Sequence, residues 1–595
     1  MMKLKQYITM AVLALAGTIM TGCSSEDITT EAPQPERQNK TVTLTTTITR
    51  DGSEATRALT AAGVKTFAVG DQIAVFYKNT NGETEKAESE ALTETDIHNE
   101  GKNATFTVTL TDPAAGGAVR YIYPAAMAKV AVAPADAPND DDETIKMDNI
   151  DSQDGTLATI ANSYDLAIYD GTLTDGATLP ASVTLQNRLA ILELTVKNAS
   201  GTSVNGSVTK FSVYDGTNYY RISRTASDEP IYVALRPVNS DQTITFSATD
   251  GTTNYRKKVT GKTLDRNNIY PVSLTMAETT STVLEFLSGS SYTVQDGETL
   301  TGKLYGNTRI QTPETDENGE PITVTLDGVD INGKSSYVHP GINCRGNVNL
   351  VLADGSVNHV TVNHPEYAGI FIKASRTLTI SGNGSLNATG DGNHARKIGG
   401  AGIGGNNRAN CGNIVITSGT IIAQGGICAA GIGCGCGAYE KNEKGSTECG
   451  SITITGGNVT ATGGTYGAGI GSAYAYCKGL DAIYNRCGNI LITGGTVTAH
   501  GGEYAAGIGC GLADGLGVTE RYVECGNITI TSDVTSVTAT KGREIEDSFS
   551  IGRGWGDKSQ SCGTITIGGT VYWDGSAFQN DGNTYLATSP FTYQP

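Results

Sequence analysis

Charged side chains make up only 17% of the 595 residues and aromatics 6%, with 2 tryptophans, 7 methionines and 6 histidines. Acidic residues outnumber basic ones by 61 to 42, leaving a net charge of −19. A chain so poor in cations lacks the basic patches that hold a phosphate backbone, so nucleic acid is excluded as a partner. Leucine heptads are missing too, which removes coiled coils and helical bundles. What is abundant is glycine: of 75, 17 precede residue 276 and 58 follow it, and 11 of the 12 cysteines also fall in that second part. A chain of this length divides into domains, and the break in composition marks where.

The glycine-rich part repeats itself. Cys411, Cys449, Cys487, Cys525 and Cys562 each open a Cys-Gly-x-Ile-x-Ile segment, with spacings of 38, 38, 38 and 37. A second landmark, Ala-Gly-Ile-Gly, begins at Ala430, Ala468 and Ala506, again 38 apart, with an earlier copy at Ala401. Self-similarity at a fixed period is the mark of stacked supersecondary units. Within one unit, apolar residues alternate (Ile490 and Ile492, then Val497 and Ala499) between glycine pairs, the pattern of short strands and tight turns. Three strands per coil predict a parallel β-helix. Weaker copies at 322–331, 348–357 and 378–387 extend it to about eight rungs from Ile322 to Ile567.

Near the N-terminus, Lys3 and Lys5 precede an apolar stretch from Ile8 to Ile19, which ends in Met-Thr-Gly-Cys at Cys23. This reads as a secretory signal and not as a membrane span. The terminal cysteine resembles the lipobox of bacterial lipoproteins, which implies a signal peptide over residues 1–22, lipidation of Cys23 and a lipid anchor in the membrane. Residues 23–40 are polar and Pro-containing, a flexible tether. The pair Glu26-Asp27 resembles the export signal of Bacteroidota lipoproteins, implying surface exposure on the outer membrane.

Residues 41–276 alternate without repeating, as in 41–49, 72–77, 104–110, 190–197 and 243–249, which predicts one or two β-sandwiches. The stretches FAVGDQIAVFY (67–77), YIYPAAM (121–127), VTLQNRLAILELTV (183–196) and KTLDRNNIYPVSL (262–274) resemble the fimbrillin-like domains of Bacteroidota surface proteins. The resemblance implies a two-lobed sandwich of transthyretin-like topology and a fimbria-associated role, with other fimbrial subunits as partners. It also implies strand exchange after cleavage at Arg50 or Arg57, which precede a plausible first strand. The fold class expected is therefore all-β, with transthyretin-like sandwich lobes followed by a parallel β-helix over residues 282–595.

The early rungs, 322–358, resemble a family of carbohydrate-binding β-helices, which implies a glycan or host surface ligand. Each 38-residue unit also carries extra residues at one place, 436–448, 473–486 and 511–524. Stacking predicts that these loops lie side by side, gathering Tyr439, Tyr474, Tyr476, Tyr484 and Tyr522 with Lys441, Arg486, Arg521 and Glu524. Tyr484 and Tyr522 are 38 apart, as are Tyr466 and Tyr504. A tyrosine offers both an apolar ring and a hydroxyl, which suits sugars and protein interfaces alike. These tyrosines with Arg486 and Arg521 are the expected ligand contacts, and the alternative is that the aromatics merely cover the rung edges.

Catalytic residues do not stand out. Asp327, Asp330 and Asp354 spread over two rungs without an obvious acid and base pair, and carboxylates in such places commonly serve turns. A polysaccharide lyase or hydrolase is the alternative function, a purely structural fimbrial subunit another. His339, His359, His364 and His394 lack metal-ligand spacing and read as turn histidines. No cofactor is required, and calcium has one weak candidate in the acidic run 139–143, which lacks a calcium-loop spacing. The cysteines allow either an inward ladder of thiols or bridges Cys434–Cys449, Cys477–Cys487 and Cys510–Cys525.

Overall fold

The computed structural model describes residues 41–50, 66–129, 150–164, 166–266, 268–304, 306–315, 318–333, 338–396, 398–437, 439–440, 447–478, 482–514, 520–542, 548–554 and 560–595. The signal segment, Cys23, the tether, Arg57, the acidic run 139–143 and Lys441 lie outside them.

Alternating burial builds two sandwich lobes. In the first, an eight-stranded sheet carries a core in which Phe67 meets Phe106 and Tyr123 edge-on at 5.4 and 5.3 Å. Thr41–Arg50 lies inside that sheet, antiparallel to Asn103–Thr111 and parallel to Ser182–Asn187. Arg50 thus ends the first strand and does not precede it, because the threonine-rich run before it already supplies the β-forming residues. In the second lobe, Ala190–Lys197 alternates strictly between buried and half-buried positions. Its Leu192, Leu194 and Val196 pack with Phe211, Val213 and Phe246 of a facing six-stranded sheet.

From Thr282 the chain coils into the β-helix. One strand per turn joins a nine-stranded parallel sheet from Ser291–Thr293 to Ile551–Gly552, and the others enter an 18-stranded sheet. The coil therefore begins upstream of Ile322, in turns whose sequence departs from the later repeat. Equivalent residues stack in register: Ile414, Ile452, Ile490, Ile528 and Ile565 form one inward column, and Ala423, Ala461, Ala499 and Ala539 another. All are 3% exposed or less. The second glycine of Ala-Gly-Ile-Gly is obligatory: Gly433 has φ +132° and a Cβ there would sit 2.1 Å from the carbonyl oxygen of Gly471.

The extra residues of each repeat form strands as well as loops. Thr447–Cys449, Ala482–Cys487, Glu520–Cys525 and Gln560–Cys562 make a four-stranded parallel sheet that leads into the repeat cysteines. Lying at the same offset in successive turns, they find each other's backbone groups, and their polar groups are paired that way. The ten cysteines whose side chains are described are buried. Cys411, Cys449, Cys487, Cys525 and Cys562 run in register. Beside them, the Cys510 sulfur stands 3.7 Å from that of Cys562, and Ser472 receives the Cys525 thiol at 3.9 Å. The thiol ladder is the arrangement formed; Cys434–Cys449 and Cys510–Cys525 are not bridged, and Cys477 has no described side chain.

Candidate functional site

Strand alternation decides which loop residues face outward. In Ala482–Cys487 the side chains of Asn485 and Cys487 point inward, where Asn485 accepts from the backbone N–H of Ala473 at 3.0 Å. Tyr484 and Arg486 are left on the outer face. The parallel register sets Tyr484 opposite Tyr522, and Arg486 between Glu448 and Glu524. The two tyrosine rings stack with centroids 5.0 Å apart and planes 8° from parallel. The Arg486 guanidinium lies 4.2 Å from the Tyr484 centroid and donates to Glu524 at 2.5 Å and to Glu448 at 3.4 Å. Burial works against its charge, yet Glu524 and Glu448 hold its pKa above the ordinary arginine value. The result is a pre-ordered ledge of ring edges, hydroxyls and paired charges, two tyrosines on adjacent rungs beside a Glu-Arg-Glu row over three.

Tyr466 and Tyr504 stand on a different element, the turn before the Ala-Gly-Ile-Gly strand. Their rings stack at 5.7 Å, and His394 extends the row, its Nε2 3.3 Å from the Tyr466 hydroxyl. Tyr474 lies beneath them, fully buried with Cys428, Cys436 and Leu512, and its ring is 4.8 Å from Tyr466. It was expected among the exposed loop tyrosines; instead it is the packing support of the Tyr466 row, its backbone held inside by bonds to the Cys428 carbonyl, the Gly437 N–H and the Asn485 amide. The backbones of Tyr439 and Tyr476 belong to short parallel strands, and that of Arg521 pairs with Ile483. The side chains of Tyr439, Tyr476 and Arg521 fall outside the described part of the structure.

Two carboxylates of the early rungs, Asp330 and Asp327, are engaged by basic groups, and Asp354 accepts from the Asn383 side-chain amide at 3.1 Å. Asp330 is 3.1 Å from Lys303, while Asp327 is 3.5 Å from Arg256 and 3.6 Å from Lys258. Asp330 also stands in register with His359. Arg256 and Lys258 belong to the sandwich, so this grouping has no signal in the repeat itself. His339, expected in an exposed turn, is 5% exposed, with its ring nitrogens 3.0 and 3.2 Å from the carbonyls of Pro340 and Asn307. A neighbouring turn closes over it, giving both nitrogens backbone partners. Among the described residues, no group of three or more His, Cys, Asp or Glu is arranged to hold a metal ion.

No curated protein sequence matches the chain. Solved structures similar to it include a fimbrial assembly protein from Parabacteroides distasonis ATCC 8503, at 12% identity over 39% of this chain and 91% of that one, with a TM-score of 0.24. A pilus adhesin from Lactobacillus rhamnosus GG is similar at 10% identity over 42% of this chain and 30% of that one, with a TM-score of 0.16. Residues 378–407, 414–436, 452–474 and 490–512, four successive turns of the coil, match the model of a family described as a β-helix repeat.

Proposed function

We propose that this chain is a lipid-anchored adhesin of the outer-membrane surface, fimbria-associated in a tip-like position, whose β-helix binds glycan chains. The observation that carries the reading is the in-register repetition of Tyr484 with Tyr522 and of Glu448, Arg486 and Glu524 on one outward face. Equivalent positions of successive rungs line up along the axis, two tyrosines beside a Glu-Arg-Glu row, which suits an extended polymer lying along the coil. The stacked rings offer edges and hydroxyls, and the flanking charged groups donate and accept hydrogen bonds to sugar hydroxyls. Because stacking and ion pairing already hold these side chains, little rotamer entropy is lost on binding. The lipobox-like segment and the fimbrillin-like stretches supply the surface context.

The test is to apply the purified chain to an array of host and plant polysaccharides, with calcium and with a chelator, reading retained protein and newly released sugar ends. Retention without release is expected. Tyr484→Ala and Tyr522→Ala should each weaken retention roughly tenfold, about 1.4 kcal/mol, while the melting profile is kept. Unchanged retention in folded variants would remove the ledge as the contact. Release of reducing or unsaturated ends would instead make the protein a polysaccharide-degrading enzyme, and dependence on calcium would identify the ion as a cofactor of binding.

A further inference from the structure

The sandwich and the helix meet almost without a linker. Ala277–Thr279 still pairs with Asn254–Arg256 of the sandwich, and Thr282–Val283 already pairs with Leu300–Thr301 of the helix. Polar contacts tie the two together: Lys210 Nζ donates to the Phe286 carbonyl at 3.1 Å, and Ser212 Oγ to Glu285 at 2.8 Å. Arg256 reaches Thr301 Oγ1 and Asp327. Beside these contacts a cleft of about 420 Å³ opens between the second lobe and the first turns of the coil. That volume is in the range of sites that enclose small molecules.

Three features of the cleft point to a ligand. Arg256 lines it with a side chain only 14% exposed and bonded to Thr301 and Asp327, and its Nε is buried with no hydrogen-bond partner among the described residues. One wall is aromatic: Tyr214, half-buried, stacks on buried Tyr219 with centroids 4.2 Å apart. The opposite wall presents Val357, 58% exposed, and exposed His359, adjacent outward positions of one strand. The formal charges around the cleft balance, Arg256, Lys258 and Lys303 against Asp327, Asp330 and Glu285, so no net charge selects a charged ligand. Buried hydroxyl-bearing residues, Thr245 and Ser247, also line the cleft.

We infer that this junction cleft binds a short neutral saccharide, of about two sugar units, with Arg256 and His359 supplying hydrogen bonds and the tyrosine wall and Val357 the apolar contact. It is a second site, independent of the Tyr484 and Tyr522 ledge, and it uses both domains at once. Amphiphilic walls with a few converging polar groups are what a pyranose needs, since its ring has apolar faces and a polar rim.

The probes are cellobiose, lactose and N,N′-diacetylchitobiose, titrated at millimolar concentration into the purified full chain and followed by saturation-transfer NMR and calorimetry. At least one is expected to bind, with His359→Ala and Val357→Arg each weakening it roughly tenfold. Both positions are exposed, so the melting profile should stay put; if either variant melts early, the other carries the test. Tyr522→Ala should leave disaccharide binding unchanged. Failure of all three sugars to bind, or binding that survives both cleft variants, would overturn the inference. Loss through Tyr522→Ala alone would assign the sugar to the ledge and empty the cleft of its role.

Discussion

The sandwich lobes and the β-helix bury their side chains by different means. Tyr121, Tyr123, Tyr220, Phe76, Phe106 and Phe211 are among the largest fully buried side chains, and all belong to the sandwich; Tyr474 and Phe591 represent the helix in that group. The sandwich fits large aromatic rings into one another across sheets joined by distant pairings. The helix repeats columns of Ile, Val, Ala and Cys, each residue resting on its own copy one turn away. The first is a unique jigsaw, while the second is close to a sum of similar neighbour interactions. The helix therefore tolerates a trimmed side chain better than the sandwich, and tolerates an obstructed backbone worse.

The largest effect should come from backbone obstruction in the helix. Gly433→Ala meets the Gly471 carbonyl and should cost on the order of 5 kcal/mol, lowering the helix transition in calorimetry and leaving the sandwich transition in place. Gly251→Ala is the matched control in the sandwich: φ is +96° but nothing lies within 4 Å of the added carbon. Only about 1 kcal/mol of left-handed strain is expected there. Equal losses at the two sites would mean that rung contact is not what makes the helix glycines obligatory.

Truncation reverses the order. Phe211→Ala should cost the sandwich about 4 kcal/mol, whereas Ile492→Ala in a helix column should cost about 2.5 kcal/mol, both read as shifts of the respective calorimetric transition.

Alkali sharpens the contrast by a smaller amount. Burial pushes the Cys344 thiol up to about 12 and holds those of Cys434 and Cys449 well above the usual range. Their folded values exceed an unfolded value near ~8.5. The stability they contribute is therefore fully present below about pH 8.5 and is lost as pH rises through the folded values. The sandwich region, residues 41–276, contains no cysteine. Its Tyr220, raised by burial and by Asp215, has an unfolded value near ~10. Between about pH 8.5 and 10 the helix transition should fall first. A parallel fall of both would mean that the thiols are not the titrating groups.

Much of the architecture was legible in the residues. The 38-residue spacing of the cysteines predicted the coil, and the strands at 104–110 and 190–197 appear where alternation placed them. The site was less legible. Tyr474 and Tyr484 look alike in the sequence, yet one is core and the other lies on the outer face, because each takes its direction from the strand or turn around it. His339 looked like a turn histidine until a neighbouring turn covered it.

The sequence alone determined the repeat, the register and the identity of the inward columns. A fixed period brings the same backbone groups and the same apolar side chains to the same offset on every turn, so local pattern suffices. Only the tertiary structure decided that Tyr466 and Tyr484 occupy different elements, that the cysteines run as a buried ladder, and that Arg256, Tyr214 and His359 share a cleft. The cleft joins residues from separate domains, and no periodicity records a distance between parts of the chain that do not repeat; the tyrosines part because one sits on a turn and the other on a strand.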